Sequence, residues 1–207
     1  LGHLGDKFYC IDHDLLSTSS CEQILSQLQS HDLYPDCLIN NARDRTYTQG
    51  GSNRVVERAD FIGELLLDVV VPYELTMSLA QHHESTLRSV VNIGSQYGIV
   101  APNLNLYTDL LNASPVHYGV AKAGMGHLTK ELAVRLARQS VRVNCVAYGG
   151  VEGRSDDDFM NRYSNLCPLG RMLNAGDIYA PVDLLLSQGS SGITGHTIVV
   201  DGGWSIW

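Results

Sequence analysis

Short apolar runs of strand length alternate along this chain with longer helical stretches, and that alternation is the pattern of a parallel α/β sheet. The runs are 8–11, ending at Asp14-Leu15; 37–39, leading into Asn40-Asn41-Ala42; 89–93; 141–146; and Thr197–Val200, before Asp201-Gly202-Gly203. Helices are expected over 20–29, 60–83, 118–138, 156–163 and 177–186, with a kink or a late start at Pro72 in the second. The stretch 97–115, rich in Asn, Leu and Pro, reads as a loop. With 207 residues, 44% of them hydrophobic, one domain over 1–207 is expected, without linker or internal repeat.

The chemistry concentrates in Tyr118-Gly119-Val120-Ala121-Lys122, with Ser95 upstream in Asn92-Ile93-Gly94-Ser95. A tyrosine and a lysine four apart on a helix share one face. A cation beside a phenol favours the phenolate, which makes that side chain a usable general acid or base near neutral pH. Taken singly, each residue has a plainer role: Ser95 as a strand-end hydrogen bonder, Tyr118 as an exposed aromatic at a helix start. Asn40 and Asn41 also suit a simple turn, because Asn tolerates left-handed backbone geometry.

Asn40-Asn41-Ala42, Ser95, Tyr118-x-x-x-Lys122, Arg142-Val143-Asn144 and Asp201-Gly202-Gly203-Trp204 occur in one order. Together they resemble the short-chain dehydrogenase/reductase family over nearly the whole chain. The later half, through Gly149-Gly150-Val151-Glu152-Gly153 and Pro168-Leu169-Gly170-Arg171-Met172, is similar to oxidoreductases of bacterial surface-sugar and flagellin-modification pathways. The resemblance implies a Rossmann-like doubly wound sheet and an NAD- or NADP-dependent interconversion of a hydroxyl and a carbonyl, on a sugar or sugar nucleotide. It implies that Tyr118 donates the proton to the carbonyl, that Lys122 favours the phenolate and holds the nicotinamide ribose, and that Ser95 donates to the carbonyl oxygen as charge develops there. It puts Asp14 and Leu15 near the adenine, Asn40, Asn41 and Ala42 along the cofactor cleft, and Val151 at the nicotinamide carboxamide, with Gly149 also binding the cofactor. It also implies a homodimer or homotetramer built on the two long helices.

The departures from that family pattern matter as much. Nothing matches a T-G-x-x-x-G-x-G turn, because Gly2 and Gly5 have the wrong spacing. The chain is therefore expected to begin at the third strand, two strands and two helices short of the full sheet. The run 37–39 becomes an edge, and an exposed apolar edge is an aggregation liability. We expect 8–11 to slide in beside it, or another subunit to cover it. Asp68 stands where the family has an Asn serving a proton relay, so it is expected to strengthen an ion pair with Lys122. Tyr148 replaces a proline, and Arg43 replaces a small residue after Asn-Asn-Ala. Ser95 and Tyr118 lie 23 positions apart, further than in ordinary members. The polar residues of this longer loop, Asn103, Asn105, Tyr107, Asp109 and Asn112, would suit a hydroxyl-rich ligand. The rival to an active enzyme is a non-catalytic member acting as a scaffold or partner subunit. The choice between NAD and NADP is not written in the residues present, because its determinant follows the absent second strand.

Charge and cysteines narrow the remaining classes. A net charge of −8, with scattered Lys and Arg, is the wrong balance for a nucleic-acid binder. No apolar run reaches transmembrane length and no signal-peptide pattern is seen, so a cytoplasmic protein off the membrane is expected. Five cysteines without close pairs argue against a disulfide framework. Cys10-x-x-His13 has no matching second pair, so no metal is expected there. Asp156, Asp157 and Asp158 can cap a helix or hold a metal, and capping is the simpler use.

Overall fold

The computed structural model describes residues 8–44, 46, 55–109, 113–153 and 155–207. Gly2, Gly5 and Asn112 lie outside the described residues. Four strands, β1 (Cys37–Asn40), β2 (Ser89–Ser95), β3 (Arg142–Tyr148) and β4 (Thr197–Val200), form one parallel sheet in the order β1-β2-β3-β4. Cys37 pairs with Ser89, Ser89 with Arg142, and Cys145 with Thr197.

The strands are nearly continuous apolar runs because both faces of the sheet are covered. Val90 and Val143 point into a core with Leu79 and Ala80 of α3 (Val71–Gln81) and Leu132, Ala133 and Leu136 of α4 (Val116–Leu136). Leu25 and Leu28 of α1 (Ser20–Ser30) extend that core. Val91 and Val146, on the opposite face, pack on Leu185 of α6 (Gly176–Leu186) with Ile178 and Val182 beside it. These four valines are fully buried, each contributing about 2 kcal/mol of transfer free energy. Asn144 joins β3 to the approach of β4: its Nδ2 donates to Ile193 O at 2.8 Å, and its Oδ1 accepts from His196 N at 3.1 Å.

The helix expected over 60–83 is three pieces in line: α2 (Arg58–Leu65), a π turn over Leu66–Val70, and α3. Pro72 is the reason. It has no N–H to return to the carbonyl four residues back, that of Asp68, while Val71 N–H reaches back five residues to Leu66 O. Asp68 therefore sits within the widened turn, as π turns at functional sites often arrange. The last helix before α6, α5 (Asp157–Leu166), starts as expected: Asp156 Oδ1 accepts from Phe159 N at 2.7 Å, with Asp157 and Asp158 in the first turn.

One expectation fails. Residues 8–11 form no strand and do not pair with β1. Phe8 and Tyr9 are exposed, Tyr9 resting against the His31 ring with centroids 4.2 Å apart. Four apolar residues make a strand only if a partner satisfies their backbone and buries a face, and here neither happens. Among the described residues the outer edge of β1 has no partner strand, with Ile39 45% exposed on it. Among the described residues no helix is long and apolar enough to cross a membrane.

Candidate active site

The C-terminal ends of parallel strands are where such sheets place ligands, and the predicted residues gather there. Lys122, two turns into α4, is buried, and its Nζ donates to Asp68 Oδ1 at 2.9 Å and to Ile93 O at 3.0 Å. The expected ion pair thus forms directly. Burial pushes the Asp68 carboxyl above its ordinary range, and the Lys122 charge opposes that shift. Such a pair is costly to break from one side, about 3–5 kcal/mol, because the surviving charge stays buried. Lys122 Nζ lies 5.9 Å from the centre of the Tyr118 ring, on the same helix face. The other face of the approach is taken by Arg43, whose guanidinium carbon is 4.3 Å from the same ring centre.

Ser95 closes β2, and its Oγ accepts from Tyr97 N at 3.2 Å, starting a short 3-10 turn over Gln96–Gly98. That turn lies directly on α4. A Cβ on Gly98 would stand 2.7 Å from the carbonyl carbon of Lys122, and one on Gly119 would stand 3.0 Å from Tyr97 O. The strand end carrying Ser95 and the helix carrying Tyr118 and Lys122 therefore meet backbone to backbone.

Beyond this turn, the described stretch of the loop through Tyr107 is anchored rather than loose. Leu106 is fully buried with Tyr163, Cys167, Met172 and Trp204. Tyr97 and Tyr107 share a hydroxyl contact at 3.2 Å, and Arg162 Nε donates to Leu106 O at 2.7 Å. Tyr163 donates to Gln96 Oε1 at 3.0 Å and accepts from Gly150 N at 2.9 Å. Burial holds the Tyr97 phenol well above its ordinary value and pushes Tyr163 up to about 12. Both are fixed as neutral hydrogen bonders. Asn103 Oδ1 accepts from Asn105 N at 3.0 Å, so part of the loop's polarity serves its own geometry.

The residues expected to hold a cofactor divide. Leu15, Asn40, Asn41 and Ala42 line one open groove beside β1, together with Leu67, Val71 and Pro72. Asn40 Nδ2 is committed to Asn92 Oδ1 at 2.8 Å, and Asn92 in turn to Thr129. Asp14 accepts from Leu16 N at 3.0 Å, closing its own exposed turn. Gly149 follows β3 and has no room for a side chain, since a Cβ would lie 2.8 Å from Asp201 Cα. Val151 forms a parallel bridge with Leu173 and is 40% exposed. A lysine ammonium has three donors, and Lys122 spends two on Asp68 and Ile93. The third, beside Tyr118, fits the ribose hydroxyls of a nicotinamide nucleotide.

Two contributors escape a sequence reading. Gly98 looks like any loop glycine, because its close approach to Lys122 is a tertiary fact. Glu64 reads as a surface helix residue, yet it is 1% exposed and neither carboxyl oxygen has a hydrogen-bond partner. Burial, and then the Asp68 charge one turn on, pushes its carboxyl up to about 7 against the pull of Arg43 and Lys122. Its only signal in the sequence is the spacing Glu64-x-x-x-Asp68.

A family model described as Enoyl-(Acyl carrier protein) reductase matches residues 2–205. The chain is 36% identical over 118 residues to the Post-translational flagellin modification protein A of Campylobacter coli, covering 57% of this chain and 46% of that protein. It therefore spans about half the length of that curated relative. The 3-oxoacyl-[acyl-carrier-protein] reductase FabG of Aquifex aeolicus is 28% identical over 207 residues, 96% of this chain and 77% of that protein. Among solved structures, a short chain dehydrogenase from Leptospira borgpetersenii with bound NAD+ superposes with a TM-score of 0.83 at 28% identity, over 94% of this chain and 74% of that one.

Proposed function

The chain belongs to the short-chain dehydrogenase/reductase family, and on that premise we propose that it interconverts a hydroxyl and a carbonyl with NAD or NADP, using Tyr118 as the acid and base. The observation that carries this reading is the buried Lys122, held by Asp68 and Ile93 O beside the Tyr118 ring. In the reducing direction the Tyr118 hydroxyl gives its proton to the carbonyl oxygen, and in the oxidising direction the phenolate takes it from the alcohol. Lys122, held in place by Asp68, stabilises the phenolate left behind. Ser95 donates a hydrogen bond to the oxygen as it gains charge, a contact worth more in the transition state than in the ground state. A bound nicotinamide supplies or accepts the hydride. Leu15, Asn40, Asn41, Ala42 and Val151 would hold that cofactor, with Lys122 on its ribose.

A sugar or sugar nucleotide is the substrate class we favour, supported by the polar loop over the site and by the likeness to a flagellin modification protein. A homodimer or homotetramer is the assembly we favour. Ile62, Leu66, Val70 and Tyr73 recur at helical spacing along α2, the π turn and α3, and all are exposed, as are Val116, Val120 and Val134 on α4. The test is direct. Micromolar NADH or NADPH should raise the melting temperature, and Tyr118→Phe should keep that shift while losing 10²- to 10⁴-fold in turnover, roughly the worth of a positioned acid. No shift at millimolar cofactor would favour the scaffold reading.

A further inference from the structure

Arg43 leaves the end of β1 directly after Asn40-Asn41-Ala42 and lays its guanidinium on the Tyr118 ring, 4.3 Å from the ring centre. Five other arginines have polar partners. Arg88, Arg135 and Arg171 each hold a carboxylate at 2.7 Å, and Arg142 and Arg162 donate to Ser190 and to the Leu106 carbonyl. Arg43, like Arg58 and Arg138, has no carboxylate at ion-pair distance and no acceptor for its N–H groups among the described residues, but it alone of the three lies on the Tyr118 ring. A contact through a ring face orients a guanidinium without using its donors. Five N–H groups in a planar fork therefore remain available beside the Tyr118 ring, in the geometry that matches a carboxylate or a phosphate.

The local charge points the same way. The chain carries −8 overall, yet Tyr118 is flanked by two cations, Arg43 and Lys122. Asp68 balances one of them at 2.9 Å. Glu64 and Asp44 are the other carboxylates acting in this cluster: Glu64 is half neutral near pH 7 through burial, and Asp44, held charged by the Thr46 N–H and hydroxyl at 2.8 and 2.7 Å, makes no ion pair with Arg43.

We propose that Arg43 is a specificity-determining residue that binds an anionic group of the substrate, a carboxylate or a phosphate, within one guanidinium's reach of the carbonyl that Tyr118 protonates. This rests on the oxidoreductase reading for the word substrate, but the anion site itself does not. The substrate is then a phosphorylated or acidic hydroxy compound rather than a neutral one. The same fork could instead meet a phosphate of the cofactor, and the experiment separates the two.

Phenylglyoxal labels accessible arginines, and mass spectrometry reads each one in the wild-type chain. Inorganic phosphate or malonate at about 10 mM should slow labelling of Arg43 at least fivefold and leave exposed Arg138 unchanged. That protection should persist when NADH is saturating. Arg43→Gln should in parallel abolish the rise in melting temperature given by phosphate and leave the rise given by NADH. Equal effects on Arg43 and Arg138, or none, would overturn the anion site. Loss of the phosphate effect once NADH is bound, or loss of the NADH shift in Arg43→Gln, would overturn the assignment to substrate and give the fork to the cofactor. A chain that fails to bind NADH but still protects Arg43 would sink the oxidoreductase reading alone.

Discussion

Glu64 shows how one side chain can set the pH response of the whole domain. Its ordinary value of 4.5 rises to about 7 in the folded chain through burial and the Asp68 charge. A carboxyl whose folded value lies above its unfolded one binds the proton more tightly when folded. Its contribution is thus intact below about pH 4.5 and declines as pH rises towards 7. At 1.36 kcal/mol per unit the decline is roughly 3 kcal/mol. Urea unfolding at pH 5, 6, 7 and 8 should show this fall in the wild-type chain, and Glu64→Gln should flatten it. A wild-type chain equally stable at pH 5 and 8 would contradict the placement. The sequence shows why this residue is easily overlooked. Tyr118, Lys122 and Ser95 announce themselves through residue type and spacing, whereas a buried acid on a helix is indistinguishable by pattern from an exposed one. Asp68 lies between these cases: its identity predicts the ion pair, but its position inside a π turn depends on Pro72.

At the scale of elements, the decisive contact is the one between the 3-10 turn at Gln96–Gly98 and α4. Because a Cβ at Gly98 would stand 2.7 Å from the backbone of Lys122, Gly98→Ala must part the turn from the helix. Overpacking of this kind costs about 1–3 kcal/mol. It should also move Ser95 relative to Tyr118, so kcat should fall while the melting shift given by NADH is kept. Unchanged turnover at unchanged stability would mean the turn does not position Ser95. Strands β1 to β4 and helices α1, α4, α5 and α6 were readable because each is a local pattern: a buried strand is apolar throughout, and an amphipathic helix repeats every 3.6 residues. The run 8–11 shares the strand pattern and is no strand. What a strand requires is a neighbour, and neighbours are not encoded within four residues.

For the molecule as a whole, the exposed apolar residues Ile62, Leu66, Val70, Tyr73 and Val120 are the surface on which the proposed dimer or tetramer would form. Light scattering at micromolar concentration should give a dimer or tetramer mass, and Leu66→Asp with Val120→Asp should reduce it to a monomer. A wild-type monomer would contradict the reading. One further property follows from the far end of the chain. Trp204 is buried and stacked on Tyr163, ring centres 4.3 Å apart, and Tyr163 touches Gln96 next to Ser95 and Gly150 next to Val151. The turn Asp201-Gly202-Gly203 that delivers it needs its glycines, at φ 69° and 87°. The other tryptophan, Trp207, is 79% exposed. Iodide should therefore silence Trp207 and leave Trp204 emitting, and NAD+ bound as proposed should change the remaining fluorescence without any added label. The fold would then carry its own optical gauge of occupancy, linked to both sides of the candidate site through the Tyr163 phenol.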